Sequence, residues 1–326
     1  MSLVAVDVGG TNVRFAMAGP DGLSAHHSML CRDFPTLEAA FLAYQDRVDR
    51  QMSAASIAVA GPVLGAHVDV TNNHWRFGKR DLMQALRLDR LLVVNDFTAQ
   101  ALAQSDPTAH GNLPILNGPN LEGPTLADEG QEAAPLLVIG PGTGLGVAAL
   151  VPSPVGPVPL EGEGGHVGFA PQDDMEADLL RRLQAETPHV SAEHFVSGSG
   201  LETLYRLLSG GGVMSAPEIG AAALAGDATA RQAVHVMLGM LGTVMADAIL
   251  TMGCWRGAVI AGGIVAQLHP LVADSPFATR LRHDGTMRHL LADLPVWLSF
   301  DPHAGLRGAA AAFENASLAP RMITAG

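Results

Sequence analysis

Residues 3–18 read Leu-Val-Ala-Val-Asp-Val-Gly-Gly-Thr-Asn-Val-Arg-Phe-Ala-Met-Ala, and this stretch decides the fold. Leu3–Val8 and Val13–Ala18 are short β-type runs parted by Gly9-Gly10-Thr11-Asn12, and Gly19-Pro20-Asp21-Gly22 separates them from a third run, Leu23–Leu30. Short apolar runs broken by such turn residues predict an antiparallel meander. Thr36–Met52 then puts Leu37, Phe41, Tyr44 and Val48 at helical spacing behind a threonine suited to cap them. Ser56–Ala60 and His67–Thr71 read as strands and Arg80–Leu88 as a helix. Leu91–Val94 is apolar enough for a strand buried on both faces. Asn95-Asp96-Phe97 follows at its carboxyl end, where open α/β sheets hold their ligands.

The opening recurs. Gly142-Thr-Gly-Leu-Gly-Val-Ala148 aligns with Gly10-Thr-Asn-Val-Arg-Phe-Ala16, so each of two lobes is expected to begin with a strand, a Gly-Thr turn and a returning strand. Between the copies, Asp106–Ala134 carries Pro107, Pro114, Pro119 and Pro124 and reads as a loop at a lobe boundary.

Composition narrows the function. The 326 residues suit two lobes, and 19 Lys+Arg against 32 Asp+Glu leave a net charge of −13, which repels phosphate backbones and anionic lipid, so neither a nucleic-acid nor a membrane partner is expected. Cys31 and Cys254 are far apart with no CxxC, excluding a disulfide scaffold and a cysteine-rich zinc site and fitting a reducing, cytoplasmic setting. The beginning of the chain, with no basic stretch before Asp7, does not read as a secretory signal. Met237–Trp255 is strongly apolar but contains Asp247 and reads as a buried helix.

Several residues carry chemistry. Glycine turns let backbone N–H groups approach phosphate oxygens, so Gly9-Gly10-Thr11 and Gly142-Thr143-Gly144 together suit a polyphosphate. Neither is a Walker A loop, since Lys79 is the single lysine and Arg80 follows it. A dinucleotide fingerprint fails too, because Gly144-Leu-Gly146 runs on into a strand rather than a helix. Asp7 ends the first strand, placed either to hold Mg²⁺ through water or to accept N–H groups of its own turn. Thr11, Asn12 and Arg14 add donors for phosphate. Asp96 fits either a helix N-cap or a catalytic carboxylate, and Asn95 beside it favours adjacent sugar hydroxyls. Glu161-Gly-Glu163-Gly-Gly-His166 interleaves with glycine two acids and an imidazole that have no packing value, which points to function. Glu193 by itself passes for a solvated helix residue.

Taken together, Asp7-Val-Gly-Gly-Thr-Asn-Val-Arg14, Val94-Asn-Asp-Phe-Thr-Ala-Gln-Ala101, Gly140-Pro-Gly-Thr-Gly-Leu-Gly-Val147, Gly162-Glu-Gly-Gly-His-Val167, Val190-Ser-Ala-Glu193, Ser197-Gly-Ser-Gly-Leu201 and Ala261-Gly-Gly-Ile-Val265 closely resemble the bacterial ATP-dependent glucokinases of the proteobacterial type. These belong to the hexokinase, actin and Hsp70 superfamily. The resemblance implies an α/β fold of two ribonuclease-H-like lobes with a cleft between them that closes on glucose. It implies a small lobe of 1–106 plus 302–326, joined by a returning C-terminal helix, and a large lobe of 107–301. It also implies that Asn95, Asp96, Glu163, His166 and Glu193 line the glucose pocket with Asp96 as base. The turns at Thr11 and Thr143 would be the phosphate segments and Gly262-Gly263 part of the adenosine segment. MgATP would be the donor, glucose the acceptor in the first step of glycolysis, and a homodimer the common assembly.

Ser199 stands where the family pattern has proline, and Gly168 where a polar residue is common, which bears on fine specificity. Related ROK sugar kinases add a zinc-binding cysteine cluster, yet no cysteine lies between Cys31 and Cys254, so zinc is not expected. A kinase of another hexose, a non-catalytic sugar sensor and a chaperone-type ATPase are the competing readings. A sensor usually carries a DNA-reading appendage, for which this acidic chain leaves little room ahead of its first strand. A chaperone has no use for Glu163-Gly-Gly-His166.

Overall fold

A computed structural model describes residues 2–116 and 133–325. In chain order these form β1 (Leu3–Val8), β2 (Asn12–Gly19), β3 (Gly22–Leu30), α1 (Leu37–Val48), β4 (Ala54–Val59), β5 (His67–Asp69), β6 (Arg76–Gly78), α2 (Lys79–Ala85), β7 (Arg90–Asn95) and α3 (Asp96–Ala103). Next come β8 (Leu113–Leu116), β9 (Leu136–Pro141), β10 (Leu145–Val151), β11 (Val158–Gly162), α4 (Asp174–Gln184), α5 (Gly198–Leu208), α6 (Ala216–Leu224) and α7 (Ala228–Met252). The chain ends with β12 (Ala258–Ile260), α8 (Gly263–Leu268), α9 (Phe277–Leu281), α10 (Arg288–Leu291), β13 (Val296–Leu298), α11 (Ala304–Glu314) and β14 (Ile323–Thr324).

Among the described residues the strands form two six-stranded sheets and a β5–β6 ribbon. One sheet runs β14-β7-β4-β1-β2-β3 and the other β11-β10-β9-β12-β13-β8. Leaving out the edge strands β14 and β8, the two orders are the same, so the repeated Gly-Thr opening marks the start of two equivalent sheets. In the first, β1 pairs antiparallel with β2 and parallel with β4, and β4 pairs parallel with β7. In the second, β12 is parallel to both β9 and β13.

The chain divides into two compact units, Met1–Asp106 with Leu150–Glu161 and Asp301–Gly326, and Pro107–Ala149 with Gly162–Phe300. The reading of 107–301 as one lobe therefore needs correcting at Leu150–Glu161. That segment is tied into the first unit by hydrogen bonds: Asn315 Nδ2 donates to the Pro157 carbonyl at 2.8 Å, and Thr98 Oγ1 donates to Glu161 at 2.6 Å. The expected loop over 106–134 lies in large part outside the described residues. Within it, Leu113–Leu116 is instead a strand, paired antiparallel with β13 in spite of Pro114, as an edge position allows.

In the first unit Phe15, Phe41 and Tyr44 are fully buried, with Phe15 stacked on Tyr44 at 4.9 Å between ring centroids. Thr36 caps α1 by accepting from Ala39 N, as its position in the sequence predicts. Helix α11 packs on α3, β1 and β4. A Cβ at Gly308 would collide with the Ala99 carbonyl, so only glycine lets α11 approach α3 this closely. In the second unit the apolar α7 is long enough to cross a membrane but lies mostly buried, packed against α5, α6, α9 and β9. Both cysteines are buried free thiols, and burial pushes the Cys254 pKa up to about 12.

Candidate active site

The first unit brings Asn95 and Asp96 to the end of β7, where the strand turns into α3. The N-cap is Asn95, not Asp96: its Oδ1 accepts from Phe97 N at 2.8 Å and Thr98 N at 3.2 Å, and its Nδ2 donates to the Gly61 carbonyl at 3.0 Å. With capping taken over by its neighbour, Asp96 opens the helix as a half-buried carboxylate whose Oδ1 accepts from Phe97 N at 2.9 Å. A carboxylate is at home on the first turn of a helix, where the unpaired N–H groups face it.

Asp7 and Arg14 are directly opposed across β1 and β2, and Arg14 Nη1 donates to Asp7 Oδ2 at 2.9 Å. Burial pushes the Asp7 carboxyl above the usual carboxylate range, against the pull of the Arg14 guanidinium. Gly305, near the start of α11, sits so close to Asp7 that a side chain there would overlap its carboxyl. The Gly9-Gly10-Thr11-Asn12 turn is held at its base by Gly9 N donating to Asn12 O, and Asn73 Nδ2 donates to Gly9 O at 3.1 Å. Asn73 has no signal in the sequence, since its partner is a backbone atom 64 residues away.

In the second unit the Gly142-Thr143-Gly144 turn is closed by Gly142 N donating to Gly144 O at 2.8 Å. Glu193 lies against it. Its Oε2 accepts from Leu145 N at 2.7 Å, and any side chain at Gly144 would strike the carboxylate. The backbone around Glu193 is fixed as well, because Ser197 Oγ donates to the Glu193 carbonyl and Gly198 N donates to the Gly142 carbonyl. Glu193 is thus no solvated helix residue but a half-buried brace in a 3₁₀ turn. Gly262, with φ of 94°, lies between β12 and α8 beside the Pro141 carbonyl, and Gly263 begins α8.

Glu163 and His166 are exposed, with His166 Nε2 3.9 Å from Glu163 Oε2. The glycines between them carry the packing of the loop. A Cβ at Gly165 would collide with the Leu145 carbonyl, and one at Gly164 would press on Val147, so the pair lets the loop lie against β10. The two acids of this segment also part company. Glu163 belongs to the second unit, whereas Glu161 belongs to the first and takes hydrogen bonds from Thr98 and from Arg321 Nη1, each at 2.6 Å. Near it, burial and Arg321 push the Lys79 pKa below the ordinary lysine range while Glu161 pulls it back.

The first unit thus presents a helix-mounted carboxylate beside an amide and a glycine turn, and the second a glycine turn braced by an acid. A family profile described as Glucokinase matches residues 3–316. A glucokinase of Neisseria meningitidis is 38% identical over 317 residues, covering 95% of this chain and 94% of the relative. The solved glucokinase of an Antarctic psychrotroph superposes with a TM-score of 0.81 at 30% identity, covering 97% and 99% of the two chains. A Balamuthia mandrillaris glucokinase solved with glucose has a TM-score of 0.79 at 22% identity, covering 96% and 93%, and supports the fold alone. On the profile match and the whole-length identity, the chain belongs to the glucokinase family and has its actin-like α/β fold.

Proposed function

We propose that the protein phosphorylates D-glucose at the 6-hydroxyl with MgATP, giving glucose 6-phosphate and ADP. The observation that carries this reading is the division of labour at the start of α3. Asn95 caps the helix N-terminus, and Asp96 stands as a half-buried carboxylate on the first turn of that helix, directly after the end of a central strand. Family membership supplies the substrate class.

Asp96 is the general base. The 6-oxygen attacks the γ-phosphorus, the bond from that phosphorus to the β,γ-bridging oxygen breaks, ADP leaves, and the hydroxyl proton passes to the Asp96 carboxylate. A carboxylate is too weak a base to take an alcohol proton early, so transfer is late, once bond formation to phosphorus has acidified it. Most of the rate gain then comes from holding the reactants in line. Asn95, Glu163, His166 and Glu193 take sugar hydroxyls. The Asn95 amide, already fixed by Gly61 and the helix N-terminus, is a preorganised partner for one of them.

The turns at Gly9-Gly10-Thr11-Asn12 and Gly142-Thr143-Gly144 receive the phosphates, and Gly262-Gly263 the adenosine. Magnesium arrives with ATP as part of the substrate. Asp7 suits it through water, because a buried carboxylate whose charge Arg14 only partly offsets is relieved by an approaching cation.

A glycolytic role in the cytoplasm and a homodimeric assembly complete the reading, supported by the acidic composition, the two free thiols and the family resemblance. The test is a coupled assay for glucose 6-phosphate with MgATP, run in parallel on mannose, glucosamine and other hexoses. Glucose should give the highest kcat/KM; no sugar-dependent turnover would refute the reading, and a better epimer would reassign the substrate.

A further inference from the structure

The chain leaves the first unit at Glu161 and enters the second at Gly162, one residue before Glu163. Glu161 is tied to the helix that begins with Asp96. Its Oε1 accepts from Thr98 Oγ1 at 2.6 Å and from Arg321 Nη1 at 2.6 Å, and Thr98 is fully buried on α3. Thr98 also has its backbone N–H in the Asn95 cap, so the residue that anchors Glu161 is itself fixed to the start of the helix. Arg321 comes from the segment just before β14, the strand that pairs with β7, whose last residue is Asn95.

Three pieces of chain thus meet on one carboxylate oxygen: the catalytic helix, the C-terminal segment that borders its strand, and the stem of the Glu163-Gly-Gly-His166 loop. This arrangement is specific in chemistry. Thr98 gains an acceptor for a buried hydroxyl proton and Arg321 a charge partner, and the carboxylate at position 161 serves both at once. The backbone at Glu161 is therefore fixed relative to Asp96, and any freedom of the loop begins at Gly162.

We propose that Glu161 is a positioning residue for sugar phosphorylation, a latch that holds the stem of the Glu163 loop at a set place with respect to the helix of Asp96. It touches no substrate and acts through Thr98 and Arg321. The proposal deepens the reading of Asp96 as base and Glu163 as sugar ligand, and rests on it.

The consequence falls on glucose rather than on ATP. Displacing the loop stem by a fraction of an ångström to an ångström costs on the order of 10- to 100-fold in kcat/KM. Glu161→Ala and Thr98→Val should each lower kcat/KM for glucose by about that factor while the KM for ATP stays within about twofold. The double variant should be little worse than Glu161→Ala alone, because the Thr98 bond is already lost there. Thr98→Ser, which keeps the hydroxyl, should restore most of the loss, and Glu161→Gln, which keeps an acceptor but not the charge, should fall between. Circular dichroism and thermal denaturation of each variant show whether it folds, and kinetics are scored on the folded fraction titrated by glucose binding.

Glu161→Ala with an unchanged glucose KM and kcat, or losses in the two single variants that multiply in the double one, would overturn the latch. So would equal losses for glucose and ATP, the mark of a merely structural role. Asp96→Asn, measured alongside, separates the two levels. If it retains turnover, the assignment of the base is at fault; if it is inactive while Glu161→Ala is unaffected, only the latch is.

Discussion

Glu193 and Leu145, 48 residues apart, are joined by a 2.7 Å hydrogen bond from the Leu145 N–H to the Glu193 Oε2. The acid proposed for sugar thereby also braces the turn proposed for phosphate, and only its Oε2 is taken by that bond. Glu193→Gln keeps an acceptor for Leu145 N, whereas Glu193→Ala removes it. Loss of a charge-assisted hydrogen bond is worth about 1.5–3 kcal/mol, or roughly 10- to 100-fold. We expect both variants to raise the glucose KM, and the alanine variant alone to raise the ATP KM as well. Steady-state kinetics with each substrate varied in turn checks this; an unchanged ATP KM in Glu193→Ala would contradict the bracing role.

Replacing Asp96, the proposed base, should give a different signature. Asp96→Asn keeps size and an acceptor for Phe97 N, so α3 should form normally. Its kcat should fall by about 10²–10⁴-fold, with glucose binding weakened far less. Glucose binding by isothermal titration, set beside kcat, makes the comparison, and near-normal turnover would remove Asp96 from the chemistry.

The raised pKa of Asp7 makes a statement about pH. Burial favours the protonated carboxyl in the folded state, so between the ordinary value of 3.8 and the raised folded value the native protein binds more protons than the unfolded chain. Stability from this group is then complete below the unfolded pKa and lost as pH rises through the folded one. Asp7→Asn cannot titrate, so its melting temperature relative to wild type should climb across that window and level off above it. Denaturation scans of both proteins, started below the ordinary carboxylate pKa and carried upward in pH, would show this; a flat difference would mean that Arg14 fully compensates the burial.

Gly308 tests the packing beneath Asp96. A methyl group there meets the Ala99 carbonyl, a backbone atom with no room to turn aside. Gly308→Ala should cost about 1–3 kcal/mol by overpacking, and because α3 must shift, kcat should drop along with the melting temperature. Calorimetry and an activity assay on the same preparation suffice.

What could be read from the chain was what is local in it. The repeated Gly-Thr opening announced two strand–turn–strand units because each copy sets its own hairpin within a short stretch of chain; that both sheets share one strand order appears only in the fold. Thr36 and α1 were legible for the same reason. Partnerships across long stretches were not: Glu193 resembles a surface residue in sequence because its acceptor role depends on Leu145 N, and Glu161 passes for the twin of Glu163 because nothing near it in sequence reveals Thr98 or Arg321. Asp96 suits a cap on sequence alone because an acid and an amide both fit that place; only geometry shows that Asn95 accepts from Phe97 and Thr98. Pro114 disguises an edge strand, since proline argues against pairing unless one side of the strand is free.

Strand β14 is only two residues long, yet its pairing with Leu91 and Arg90 covers what would otherwise be a bare flank of the strand leading to Asn95. Trimming the tail back past Ile323, or fusing a bulky tag tightly behind it, would uncover that flank and invite other strands to dock there. Engineering of this enzyme should therefore leave Ile323 and Thr324 in place.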